Sequence, residues 1–468
     1  MKTPLRFVIL FISFAFLSTS CKKTTTTNDP PALTTNDVVL DVTSTTAQSG
    51  GTITSIGSSA ITANGVCYSS SNKTPTISDL KTTDPIISTS YSYTSNITGL
   101  NPSTTYYLRA YATNAYGTSY GSVVTFSTTA TSSTIAGAVT TFAGSAASGY
   151  ADGLGAAAQF NNPIGMAIDA QGNIYVSDSF NNRIRKIAPD GTVTTIAGNG
   201  TTGYLNTGAG NAANAEFYGP QGLAVDAQGN IFVADFGNNV IREIATTGAV
   251  TTFAGNGTAG YVDGTSSAAE FNGPAGLAFD KQGNLYVADN NNNMIRKITS
   301  AGVVSRVAGT KTPGYVNGTV NTTTGFYTSF RAPNALVVDA SGNIFVADLG
   351  NSAIRQITSA GVVTTIAGGP GQTSLLGSPA ALAMDASGNF FITDESGRIV
   401  ELTSGKILYD LAGVANVAGF ADGTGTVARF NTPQGICVDA SGNIFVSDFN
   451  NNRIRKVVIV PVNNQSSN

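Results

Sequence analysis

The chain is 468 residues long, and only 11% of them are charged: 24 Lys and Arg against 27 Asp and Glu, a formal net charge of −3. That balance carries no electrostatic footprint for nucleic acid, and the absence of histidine excludes Ser-His-Asp and Cys-His nucleophile systems and any zinc site needing an imidazole. The three cysteines, Cys21, Cys67 and Cys437, fall in three separate regions and form neither a disulfide framework nor a CxxC motif.

The N-terminus reads "MKTPLRFVILFISFAFLSTSC". Lys2 and Arg6 form a basic region, residues 7–17 are apolar, and Ser18, Thr19 and Ser20 precede Cys21. The apolar run is shorter than the roughly 20 residues a membrane-spanning helix needs. This order resembles a bacterial lipoprotein signal, although Leu17 lies four residues before the cysteine rather than three. The resemblance implies a signal over residues 1–21, a lipidated Cys21 as the first mature residue, and an exported, membrane-anchored protein. Lys22 rather than Asp at the second mature position implies the outer membrane of a Gram-negative bacterium. Residues 22–31, "KKTTTTNDPP", form a polar tether with too little apolar surface to fold.

Short alternating strands with turn signals between them fill residues 32–129. In "LNPSTTYYLRAYATN", Tyr106, Leu108, Ala110 and Ala112 alternate with Tyr107, Arg109, Tyr111 and Thr113, giving one inward and one outward face. The spacing of Leu100, Pro102, Thr104 and Tyr106 resembles the fibronectin type III domain, an immunoglobulin-like β-sandwich in which that tyrosine pins a loop to a late strand. The core tryptophan of that family is missing. Residues 130–136 read as a linker.

From residue 137 to 460 one unit recurs. "GNIYVSDSFNNRIRKI" from Gly172 returns from Gly229, Gly283, Gly342 and Gly442, and in a worn form, "GNFFITDESGRIVEL", from Gly388. A proline opens each unit (Pro163, Pro220, Pro274, Pro333, Pro379, Pro433), and an aspartate closes its second segment (Asp178, Asp235, Asp289, Asp348, Asp394, Asp448). Catalytic constellations are built once from unlike residues, whereas this spacing marks a supersecondary unit stacked on itself, with four short strands per unit. The unit resembles the NHL repeat, which implies a six-bladed β-propeller. The fold class expected is therefore all-β: a small Ig/fibronectin III-like sandwich followed by a six-bladed NHL propeller, with residues 461–468 a disordered tail.

In "DAQGN", Asp169 is placed to accept backbone N–H bonds within its own turn, and Gly172 to supply a left-handed residue. Asp178 and Asn181 bracket the next turn. Arg185 and its counterparts Arg242, Arg296, Arg355 and Arg455 are expected to reach a neighbouring blade's carboxylate, and the worn copy has Val400 there. Cys437 takes the place of a small buried side chain. The segment ending in "AG" occurs once before the first proline-led unit and never after the last. A ring without free edges therefore requires residues 137–144 to pair with the strand near 453–460.

Function is expected in the long loops joining one blade to the next. They carry Tyr150, Tyr204, Tyr261, Tyr315 and Phe420, each after a glycine. One reading has these rings buried, stapling their own loops; the other makes them a shallow ligand surface. The junction after Gly368 is much shorter and should leave a notch. The partners expected are a glycan or an extracellular protein and, through lipid, a membrane, with no cofactor. Amidating-lyase relatives need histidine ligands for zinc, which are absent; the enzymatic alternative is a metal-dependent, lactonase-like hydrolase using carboxylates and asparagines.

Overall fold

A computed structural model describes residues 28–86, 92–129, 134–320, 328–371 and 376–462. Cys21, the signal and most of the tether lie outside the described residues. Strands and short 3-10 turns make up the regular structure, with no α-helix among the described residues. The chain is already tied down at Asp29, whose N–H donates to Ser58 Oγ and whose carbonyl accepts from Asn114 Nδ2.

Residues 32–127 form two antiparallel sheets packed face to face. Ala32–Thr35, Thr46–Ser55 and Ser92–Thr98 lie in one; Ala63–Ser69, Thr105–Asn114, Gly117–Tyr120 and Val124–Ser127 lie in the other. Ala47 and Ile97 from the first meet Val66, Leu108 and Phe126 from the second. Tyr106 is 3% exposed, and its hydroxyl accepts the Asn101 N–H at 2.9 Å. Tyr111 departs from the alternation: expected outward, it is 2% exposed because its hydroxyl finds an acceptor in the Thr82 carbonyl at 2.7 Å.

The remaining strands form six sheets in a propeller-like arrangement. Each begins with an inner strand that opens on the repeat's proline: Pro163–Ile168, Pro220–Val225, Pro274–Phe279, Pro333–Val338, Pro379–Met384 and Pro433–Val438. Proline has no N–H to give a ladder, so the first residue of an edge strand is where it fits. The inner strands neighbour one another in a closed cycle, the sixth returning to the first. They approach so closely that a Cβ on Gly165 or Gly222 would lie 2.0 Å from the next strand's carbonyl oxygen, of Gln221 and Ala275 respectively. The channel they enclose is correspondingly narrow, a cavity of about 70 Å³.

Six apolar cores lie between successive sheets. Val176, Ile187 and Cys437, for example, fill the space between the sixth sheet and the first. Closure follows the offset read from the repeats: Thr134–Ala143 pairs antiparallel with Arg453–Val462, placing Val139 opposite Val457. Both strands run past the expected bounds, into the assigned linker at one end and the assigned tail at the other.

The outer strand of a sheet exposes a row of unpaired backbone groups. In four sheets the incoming loop covers it with a two-residue strand, as Gly153–Leu154 does on Thr192–Ala197, and in the second sheet Thr207 bridges to Val250. The fifth sheet is served by the short junction after Gly368. Its outer strand, Ile407–Gly413, is covered instead by Val39–Leu40 of the sandwich, parallel, with Val39 beside Ile407 and Leu40 beside Leu408. Val38 and Leu40 enter the core between the fourth and fifth sheets, while Val39 belongs to the sandwich core. The expected notch is thus occupied by the other part of the chain.

A chain lacking residues before 134 should expose that outer strand and lose the two aliphatic side chains, at about 2–5 kcal/mol for each large one removed. Circular dichroism melts and light scattering should show a lower transition and self-association through the open edge. A monomeric truncated chain that melts like the full one would contradict this role for the sandwich.

Candidate functional site

The repeated phrase serves to grip a loop. In the first sheet, Asp178 ends the second strand and Asn182 takes a left-handed conformation with φ 50°, which asparagine tolerates better than most residues. The intervening Asn181 donates its amide to Asp178 Oδ2 at 2.8 Å and to the Gly149 carbonyl at 2.6 Å. Gly149 immediately precedes Tyr150. The same bridge runs from Asn238 to Gly203, Asn292 to Gly260, Asn351 to Gly314 and Asn451 to Gly419.

Arg185 completes the grip. Its side chain is 0% exposed, with Nη1 on Asp178 Oδ2 at 2.8 Å and on the Gln159 carbonyl, and Nη2 on the Ala151 carbonyl and Asp152 Oδ1. Arg242, Arg296, Arg355 and Arg455 repeat this arrangement. The expected partner is corrected here: the buried carboxylate belongs to the arginine's own sheet. The link to the next sheet is made by the second asparagine, with Asn182 Oδ1 accepting the N–H of Gly219 and Asn239 Oδ1 that of Gly273. Burial raises the pKa of Asp178, Asp235, Asp348 and Asp448, and that of Asp289 to about 6, against the opposing pull of their N–H donors and arginines.

Two parts of this device escaped sequence reasoning. Phe160, Phe217, Phe271, Phe330 and Phe430 are 0% exposed and each lies about 5 Å from its arginine's guanidinium. The signal was present as a phenylalanine a few residues before each of those prolines. The worn fifth copy also keeps its cation. Where Val400 stands in register, Arg398 reaches Asp394 at 3.0 Å through Nε and Asp410 through Nη1. Despite desolvation, that arginine and the N–H groups of Gly377, Ser378 and Ser396 hold Asp394 below its ordinary range.

The loop aromatics are not buried. Tyr150 is 57% exposed, Tyr204 45%, Tyr261 47%, Tyr315 36% and Phe420 45%. Each ring has a cation close to it: Arg183 at 4.1 Å from Tyr150, Arg242 at 5.1 Å from Tyr204, Lys311 at 5.1 Å from Tyr261, Arg355 at 4.7 Å from Tyr315 and Arg453 at 3.8 Å from Phe420. Such contacts contribute about 0.5–1 kcal/mol at exposed sites. They orient the rings without covering them. The five sit one per junction around the ring, so the structure does not gather them into one pocket.

Tyr315 differs from the other four in having a facing wall. It lines a cleft of about 600 Å³ between the fourth sheet and the sandwich, together with Asn317, Thr365, Thr34, Asp37 and Thr52. Its hydroxyl is within 2.8 Å of Thr365 Oγ1. The opposite end of the propeller carries tight turns: Asp169 Oδ1 accepts the N–H groups of Gln171 and Asn173, and Gly172 has φ 81°. Among the described residues, no three His, Cys, Asp or Glu side chains gather as metal ligands would.

Four segments of the chain, residues 160–187, 217–242, 271–298 and 430–457, match the NHL repeat family. Protein SUPPRESSOR OF QUENCHING 1, chloroplastic, of Arabidopsis thaliana is 38% identical over 94 residues, which is 20% of this chain and 9% of that protein. Teneurin-4 of Homo sapiens is 26% identical over 314 residues, 61% of this chain and 10% of that protein. The chain thus spans a tenth or less of these relatives. A structural genomics protein of unknown function from Bacteroides thetaiotaomicron superposes with a TM-score of 0.52 at 19% identity, covering 92% of this chain and 99% of that one. The chain is an all-β protein carrying NHL repeats in a propeller-like fold.

One buried carboxyl lies apart from the grip. Glu401, 4% exposed, has a carboxyl oxygen with no hydrogen-bond partner among the described residues, and burial, reinforced by Asp385, pushes its pKa up from 4.5 to about 7. A raised carboxyl pKa means that the folded chain keeps a proton the unfolded chain releases. This contribution is therefore full below 4.5 and lost as the pH rises towards 7. Glu401→Gln should remove that slope and raise stability above neutrality by roughly 3 kcal/mol. Thermal melts across the range would check it, and an unchanged slope would count against the assignment.

Proposed function

We propose that this chain is a lipid-anchored, exported binding protein, built as a six-bladed NHL propeller behind a small fibronectin III-like sandwich, and that its loop end presents a glycan or extracellular-protein site. The observation that carries the reading is the state of the five aromatics: exposed by 36–57%, yet each oriented by a cation and carried on a loop gripped from below. Rigid, half-exposed rings on variable loops suit recognition, because they present area at low cost in conformational entropy. The six sheets, the cyclic neighbours of their inner strands and the Tyr106 corner support the finer fold assignment. Anchoring rests on Cys21 and the residue order before it, and Lys22 at the second mature position supports the outer membrane as its place in this reading. A metal-dependent hydrolase finds no comparable support, since the repeat's buried aspartates are each engaged by an arginine.

Cys21→Ala should move the protein from the membrane fraction to the soluble fraction of fractionated cells, and unchanged fractionation would remove the anchor from the account. On a glycan array and in a screen of extracellular proteins, Tyr150→Ala, Tyr261→Ala or Phe420→Ala should weaken a captured ligand by on the order of 1 kcal/mol per ring in contact, with melting temperatures nearly unchanged. Variants that melt early but bind as before would make the rings staples alone.

A further inference from the structure

Resting on that reading, we propose that the cleft between the sandwich and the fourth sheet is a carbohydrate subsite, in which Tyr315 is the platform and Asn317 and Asp37 supply the polar contacts to a neutral sugar. The cleft, at about 600 Å³, falls within the roughly 300–1,000 Å³ that small-ligand sites occupy.

The chemistry of its walls selects the ligand. Tyr315 is held at both ends of its ring system: Arg355 stands 4.7 Å from the ring, and the hydroxyl is within 2.8 Å of Thr365 Oγ1. A ring so fixed offers an apolar surface to the C–H face of a pyranose without losing freedom on binding. Asn317 stands where the first, third and sixth sheets place Asp152, Asp263 and Asp422, each paired with its sheet's arginine. Its Oδ1 accepts from Arg355 Nη2 at 2.8 Å and from Thr365 at 3.4 Å, and its amide Nδ2 has no hydrogen-bond partner among the described residues. Asp37, also lining the cleft, makes no hydrogen bond or ion pair among the described residues; desolvation raises its pKa, with Lys406 opposing. An amide donor and a carboxylate lining one cleft, neither with a hydrogen-bond partner among the described residues, together with threonine hydroxyls and an oriented ring, match a polyol with one flat apolar face. An anionic ligand would meet the Asp37 carboxylate, and the guanidinium beside the ring, that of Arg355, is 0% exposed and already engaged.

The second sheet provides an internal control. Tyr204, Asn206 and Thr252 repeat the trio, with the Tyr204 hydroxyl within 2.6 Å of Thr252 and Asn206 paired to Arg242. There the Asn206 amide is spent on Thr252 at 3.2 Å, and none of the three residues lines the cleft walled by the sandwich. The subsite is therefore a product of sandwich docking, and of these two trios only the one beside the sandwich has a facing wall.

The test is isothermal titration calorimetry of the full chain against cellohexaose, xylohexaose, mannohexaose and maltohexaose. At least one should bind saturably. Tyr315→Ala should weaken it by about tenfold or more, the scale of one oriented aromatic together with its hydrogen-bonded neighbours, and Gln171→Ala, in a tight turn at the opposite end of the propeller, should leave it unchanged. Thr34→Trp, a plug from the exposed sandwich wall, should abolish binding without touching Tyr315 or the propeller, so a Tyr315 variant that fails to fold does not decide the matter. No saturable binding by any of the four overturns the carbohydrate subsite, while the wider reading still stands or falls by the protein screen. Sugar binding that survives Thr34→Trp and Tyr315→Ala but falls with Tyr204→Ala or Tyr150→Ala overturns the cleft and sustains the loop-face reading.

Discussion

The buried arginine–aspartate pair is the contact on which the rest of this molecule turns. Arg185 and Asp178 are both 0% exposed at 2.8 Å, and four further sheets repeat the pair with an arginine in register. Taking two charges out of water is expensive, and a buried pair is sustained only when further hydrogen bonds satisfy it. Here those bonds come from the loop arriving from the previous sheet, through its carbonyls and its own aspartate or asparagine. The cost of burial thus makes each sheet's stability conditional on its loop being seated. Among the described residues, the arginine Nε has no hydrogen-bond partner in any of these five sheets, and a buried phenylalanine ring lies close to the guanidinium.

The fifth sheet shows how far that constraint reaches. Its junction is too short to bring in a loop carboxylate, and the arginine at the usual position is gone. Both losses are compensated nearby. Arg398 supplies the cation from two residues earlier, and Asp410 supplies the second carboxylate from the outer strand, at the register position where the first sheet has Thr195. The missing edge strand is replaced from the sandwich by Val39–Leu40. One shortened loop therefore decides where the sandwich docks, and the docked sandwich creates the cleft at Tyr315.

Much of the fold was legible because repetition removes ambiguity. Six prolines and six aspartates in register fix the strands, and the placement of "GAVTTFAG" before the first unit, with nothing equivalent after "RIRKV", fixes the closing pair. The left-handed glycines and the Asp169 turn could be read locally, since their partners lie within a few residues. Contacts between distant segments could not. The direction of Arg185 depends on which side of the sheet faces the loop, and period alone does not say. Arg398 was passed over because the copy is shortened ahead of it, which shifts the alignment. Tyr111 looked outward by alternation, but a hydroxyl with a carbonyl to meet can be buried. The cleft needed two distant parts of the chain in place, and the parallel pairing of Val39–Leu40 with Ile407 and Leu408 leaves no mark in either segment.

The central claim is that the buried arginine holds the aromatic loop, so that rigidity at the surface originates in the core. Amide hydrogen exchange on Arg242→Met tests it most directly. Arg242 bonds the Leu205 and Glu216 carbonyls as well as Asp235, so residues 203–216 should lose protection well before the strand Ile231–Asp235 does, as a local opening distinct from global unfolding. If the loop keeps its protection, or if loop and strand lose it together, the arginine is a stability element of the sheet and the account of a core-gripped recognition surface is wrong.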